Sequence, residues 1–173
     1  MRSNSDIQKQ LDGIDGESQD SKHSKEVEVL SFRFKAVQTG SAGSGTGGLG
    51  KGKVKVEDLV IWKKLDKSTP KLFLHCCNGE PIKKVVLTAR KAGKDQQDHY
   101  KITLTDCLVS LFESAGGDHE HEGGSAGKDD WTQTEKVSFN YSTIDVSYKA
   151  QKPDGTLEGE LKGGWSCIQN KQL

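Results

Sequence analysis

Four groups of residues have types and spacings that could do chemistry. Gly45-Thr-Gly47-Gly-Leu-Gly50 fits the glycine fingerprint of dinucleotide sites, and Gly45 to Lys51 fits the opening of a phosphate-binding loop. Both motifs need a helix N-terminus to converge N–H groups on a phosphate. Here Gly52 stands where a phosphate loop has Ser or Thr, and Lys53-Val-Lys-Val56 alternates like a strand. The segment therefore reads as a mobile loop or docking arm, and no cofactor is expected. His119-Glu-His121-Glu122 sets two imidazoles beside carboxylates, which is two ligands short of a closed tetrahedral metal site. His75 precedes Cys76 and Cys77, but successive helical residues point about 100° apart, so a Cys/His nucleophile pair is not built. Glu113, Asp118, Glu120 and Glu122 could act as paired carboxylates in hydrolysis; in an exposed loop they read as solvating charge.

The elements that would position these groups are mostly strands. Val27, Val29, Phe32, Phe34 and Ala36 are apolar on alternate positions with a one-residue slip at Leu30, which predicts a bulge. The polar positions of the same stretch, Glu26, Glu28, Ser31, Arg33 and Lys35, form a hydrophilic face that would meet water or, in a ring, line a wet channel. The same rhythm runs through Val54 to Trp62, Val85 to Ala89, Tyr100 to Leu104, Cys107 to Leu111, Val137 to Tyr141 and Ile144 to Tyr148. Seven or eight short strands follow, pointing to an all-β chain of two antiparallel sheets forming a barrel or sandwich. One short helix interrupts them. Thr69 is placed to accept a hydrogen bond from an orphan N–H, Pro70 suits the first helical position and Gly79 the left-handed stop. Leu72/Cys76 and Phe73/Cys77 are expected to make one apolar face that plugs an open side of the sheets.

Glycine concentrates in Gly40 to Gly52, in Gly116 to Gly127 and in Asp154 to Gly164, with Asp154-Gly155 as a tight turn. Such segments lack the side chains that would offset their ordering entropy, roughly 1–2 kcal/mol per residue.

Composition narrows the function classes. The 173 residues carry 25 basic and 25 acidic side chains, so the electrostatic footprint of a nucleic-acid binder is missing. The longest strongly apolar run, Leu59 to Trp62, is far below the roughly 20 residues of a membrane helix. Met1 to Gln10 has no apolar stretch of a signal peptide, so the chain is expected to start in the cytoplasm and leave, if it does, by another route. Cys76, Cys77, Cys107 and Cys167 lack a CxxC spacing and are expected to be buried free thiols. Residues 1–173 read as one domain, with 1–5 loose.

The order of these signals resembles the haemolysin-coregulated proteins, Hcp, of bacterial type VI secretion. The likeness runs through Asp12-Gly-Ile-Asp-Gly16-Glu-Ser18, Glu26 to Phe34, the Gly/Ser loop and Val56 to Asp66 with Lys67-Ser-Thr-Pro70. It continues through Leu87-Thr-Ala-Arg-Lys-Ala-Gly93, Leu108-Val-Ser110, Phe139 to Tyr148 with Gln151-Lys-Pro-Asp-Gly155, and Gly164-Trp165. The resemblance implies a structural, non-catalytic, exported protein. It implies a homo-hexameric ring whose copies stack into the inner tube of a contractile sheath, with spike, sheath, baseplate and effector proteins as partners and no membrane insertion. By the same likeness Thr39 to Lys53, with Thr39, Gly40, Ser41, Gly45, Gly47, Gly50, Lys51 and Lys53, is the ring-stacking loop. Ser31, Arg33 and Lys35 are candidates for the lumen face. Two departures stand out: Asp6 to Leu11 keeps only Ile7 and Leu11 as apolar positions, which predicts a frayed or edge strand, and residues 116–127 make a long acidic insert. The rival readings are a small β-sandwich module that recognises a ligand or peptide, and a hydrolase with its site in the acidic loop.

Overall fold

A computed structural model describes residues 5–38, 53–91, 97–116 and 133–173. Its strands are β1 (Ser5–Leu11), β2 (Val27–Arg33), β3 (Ala36–Gln38), β4 (Val54–Val56), β5 (Leu59–Lys64), β6 (Ile82–Lys91), β7 (Gln97–Ala115), β8 (Thr134–Tyr148), β9 (Leu161–Ser166) and β10 (Lys171–Gln172), with the helix α1 (Thr69–Asn78) between β5 and β6. All pairings are antiparallel. Eight strands run in the order β10-β9-β8-β5-β2-β1-β6-β7, and a further β8–β7 pairing closes six of them into a barrel. β3 and β4 form a second, two-stranded sheet. The all-β barrel with one short helix is the expected fold. The described strands, however, number ten, and two are long.

The length of β7 and β8 has a physical cause that alternation alone obscures. The buried face switches between Leu104 and Cys107, between Tyr141 and Ile144, and between Ile82 and Val85, all at one level of three adjacent strands. Asp106 takes φ 49° at this line. Each long strand therefore reads as two short ones in sequence, while its ladder continues. β8 serves three neighbours: Thr134–Phe139 pairs with β5 and Thr143–Tyr148 with β9, while β7 runs along its other edge. The bulge expected at Leu30 is present, with the β2–β5 register shifting between Val29 and Ser31.

The interior is filled by Val27, Leu59, Ile61, Leu72, Ile82, Val85, Leu87, Ile102, Leu104, Val137 and Phe139, each 0–1% exposed. Burying side chains of this size contributes roughly 1.5–3 kcal/mol apiece. β1 is neither frayed nor at an edge, contrary to expectation. It pairs with β2 through Ile7–Lys9 and with β6 along its whole length. The inward position between Ile7 and Leu11 is filled by Lys9, which is 0% exposed, with Nζ 3.3 Å from the centroid of the Phe139 ring. The strand looks half-polar in sequence because a lysine occupies a core site.

α1 also differs from expectation in detail. Ser68 is the N-cap and gives no side-chain cap bond, and the Thr69 hydroxyl instead accepts the Asp66 N–H (3.1 Å). Gly79 ends the helix at φ 68°, its N–H donating to the His75 carbonyl. Leu72 is buried and Cys76 packs on the core. Phe73 is half exposed and meets Phe112 edge-on, with ring centroids 5.8 Å apart, and Cys77 is exposed. The buried face is thus Leu72/Cys76 alone. Of the thiols only Cys107 is fully buried; Cys76 and Cys167 are half-buried. The third glycine segment is not a linker throughout: after the turn at Gly155 (φ 86°), residues 161–164 belong to β9.

Residues 12–26 return from β1 to β2 as a folded-back loop over the barrel. The Gly16 N–H donates to the Lys25 carbonyl and the Ser18 N–H to the Glu26 carbonyl (3.0 Å). Gly13 has φ 80°, and a Cβ on Gly16 would fall on the Glu26 carbonyl and 2.7 Å from Val27 Cα. Both glycines of the Asp12–Ser18 phrase are therefore dictated by backbone geometry.

Candidate functional site

Two ionic clusters organise the ends of this barrel. Lys63 and Glu135 are register partners on β5 and β8, both at inward positions and both with side chains 0% exposed. Lys63 Nζ donates to Glu135 Oε2 (2.7 Å) and lies 3.0 Å from Asp66 Oδ1. The Thr69 hydroxyl donates to Glu135 Oε2 (3.1 Å). The β5–α1 connection is thereby fastened to β8. On the outer face, Arg90 of β6 contacts Asp20 Oδ2 (2.6 Å) and Asp98 Oδ1 (3.4 Å), and His23 lies between Glu26 Oε1 (2.9 Å) and Asp98 Oδ1 (3.2 Å). Backbone N–H donation from Lys22, then the Arg90 guanidinium, holds the Asp20 carboxyl below its ordinary range. This cluster ties the 12–26 loop to β6 and β7.

Among the described residues no group of three or more His, Cys, Asp or Glu side chains is placed to hold a metal ion. His75 Nδ1 lies 2.9 Å from the Glu80 carbonyl oxygen, at the end of the helix. Glu113 stands exposed on β7 opposite Lys136. The glycine fingerprint 45–51 and Asp118, His119, Glu120, His121 and Glu122 lie outside the described residues. The Cys107 thiol is pushed up to about 11 by burial, with nearby Lys9 opposing the shift, so it is not a nucleophile at neutral pH. Burial also raises the Tyr141 hydroxyl, which donates to the Glu57 carbonyl (2.8 Å).

The remaining candidates are surfaces. Ser31, half-buried, is in register with Trp62, and exposed Arg33 with Val60. Lys35 follows just beyond β2, its Nζ 3.1 Å from Glu57 Oε1, and the Glu57 N–H donates to its carbonyl (2.9 Å). These contacts mark a kink past which β3 and β4 continue the β2–β5 hairpin as a separate ribbon, pairing Ala36 with Val56 and Gln38 with Val54. Of the loop residues singled out in sequence, Thr39, Gly40, Ser41, Gly45, Gly47, Gly50 and Lys51 lie outside the described residues, and Lys53 stands exposed at the base of β4. Sequence reading missed Lys9, Lys63 and Glu135. Their signal is phase: each sits two residues from apolar inward positions of its own strand.

The chain was compared with known proteins. The model of the family described as "Type VI secretion system effector, Hcp" matches residues 9–148. Protein hcp1 of Pseudomonas aeruginosa is 40% identical over 161 residues, covering 92% of this chain and 93% of that one. Among solved structures, one described as a type six secretion system protein superposes with a TM-score of 0.85 at 30% identity, covering 97% and 99% of the two chains. Hcp1 from Salmonella typhimurium gives 0.77 at 30% identity, covering 99% and 100%.

Proposed function

The chain belongs to the Hcp family of type VI secretion proteins, and on that premise we propose that it is a structural subunit of the secretion tube, a homo-hexameric ring that stacks on further rings and carries effectors. In this reading it has no catalytic role, is assembled in the cytoplasm, and leaves with the tube through the spike, sheath and baseplate machinery without inserting in a membrane. No helix among the described residues is long and apolar enough to cross one. Thr39 to Lys53 contacts the next ring, and Ser31, Arg33 and Lys35 face the lumen.

The observation that carries the reading is the β3–β4 ribbon. It is two strands of three residues each, not paired with the eight-stranded sheet, and every residue of β3 is exposed. A two-stranded sheet of that size is marginal in water. A neighbouring copy supplies the missing surface, and equivalent contacts repeated around a closed ring add up.

Light scattering and negative-stain microscopy test this. The expected result is a particle of about six times the 18.9 kDa chain, seen as annuli. Stable monomers at every concentration would favour the small recognition module instead. Deleting 40–50 is expected to leave rings and abolish tubes, and Arg33→Glu is expected to alter effector binding.

A further inference from the structure

We propose that the β3–β4 ribbon of one copy docks edge-on against β9 of a second copy, extending the β8–β9 sheet across the boundary between subunits. The proposal rests on the self-assembly set out above and adds where two copies meet.

Strand edges provide the first argument. Six strands close on themselves, so among the described residues the strands outside the barrel are the ribbon and the β9–β10 extension. β10 pairs only with Trp165 and Ser166, and the Leu173 N–H reaches the Gly164 carbonyl (3.2 Å). Leu161–Gly163 therefore have a strand neighbour, β8, on one side only. This stretch and each ribbon strand are three residues long, a matched pair of edges. Unpaired backbone N–H and C=O groups on such edges are a template for another strand.

Exposed apolar surface points to the same place. Among the described residues the three most exposed large hydrophobic ones are Ile168 (76%), Leu161 (70%) and Leu173 (58%), all on β9, β10 or at their ends. Tyr148, the register partner of Leu161, is 42% exposed. The ribbon offers apolar partners in Ala36 and Val37 on β3 and in half-buried Val54 and Val56 on β4.

Charge completes the match. On β4 stands Lys55, exposed; before β9 stand Asp154 and Glu158, also exposed. Glu160 is met by Lys162, so Glu158 is the carboxylate ahead of β9 that is set against Lys55. Opposite patches steer association and fix register more than they add affinity. Because the ribbon and β9 are different surfaces, the contact is heterologous, and one copy can give its ribbon while receiving another's.

The test is cross-linking in a Cys77→Ser background, which removes the exposed thiol. Chains carrying both Val37→Cys and Leu161→Cys are treated with a short bis-maleimide, alongside each single variant, and the mass in solution is measured on the same samples. A ladder of covalent multimers from the double variant, absent from the singles, is the expected result. Normal ring mass without a 37–161 cross-link overturns the docking and leaves tube assembly standing; monomers alone remove both. A second arm swaps charge: Lys55→Glu is expected to raise the concentration for half-assembly about fivefold, and added Glu158→Lys to restore it. An unrestored double variant counts against the pairing.

Discussion

Lys63 Nζ lies 2.7 Å from Glu135 Oε2, and neither side chain reaches solvent. Taking Lys63 away leaves Glu135 as an uncompensated charge in the barrel, whereas replacing both by apolar residues removes the desolvation cost with the attraction. Lys63→Met is expected to cost about 3–5 kcal/mol in urea unfolding. Lys63→Met with Glu135→Leu is expected to recover most of it. Equal losses from the single and double variants would refute this account.

Lys9 is a core amine whose partner is the face of Phe139. The ring offers partial compensation, but burial dominates and holds the amine well below its ordinary value of 10.5. The folded chain therefore binds fewer protons here than the unfolded chain. Stability from this site falls as pH drops below 10.5 and levels off once the lowered value is passed. Cys107 acts in the opposite sense: raised to about 11, it loses stability as pH climbs beyond 9.0. Lys9→Met is expected to stabilise the fold at neutral pH by about 1–4 kcal/mol, to remove the rise of unfolding midpoint with pH below 9.0, and to leave the Cys107 decline above it unopposed. A destabilised Lys9→Met variant with an unchanged pH profile would contradict this.

Gly16 has no room for a methyl group, because backbone atoms of Glu26 and Val27 stand where it would go. Gly16→Ala is expected to cost about 1–3 kcal/mol, with the 12–26 loop pushed off β6. Gly159→Ala is the control: nothing lies within 4 Å of its Cβ position, so thermal unfolding is expected to move by less than about 0.5 kcal/mol.

The barrel was largely legible because period-two alternation marks every strand with one buried face. The strand boundaries in β7 and β8 were not, since the switch of buried face past Leu104 and Tyr141 imitates two strand ends. β1 was misjudged because Lys9 is polar by type and buried by position. Lys63 and Glu135 escaped notice for the same reason. A charged residue in apolar phase has meaning only with its cross-strand partner, and the pairing of β5 with β8 spans some 70 residues of chain. The Leu30 bulge and the Gly79 stop were readable because each depends on neighbours in sequence alone.

Three hairpins end in matched register: Gln38 opposite Val54, Lys91 opposite Gln97, and Ala115 opposite Thr134. Adjacent strands stand about 4.8 Å apart, so whatever peptide joins each pair must leave and return through a gate one strand wide. Length and composition beyond these gates can drift without disturbing a single rung behind them. A folded passenger whose own termini lie close together could be spliced in at either of the last two, which belong to the barrel, and the barrel would carry it as a handle.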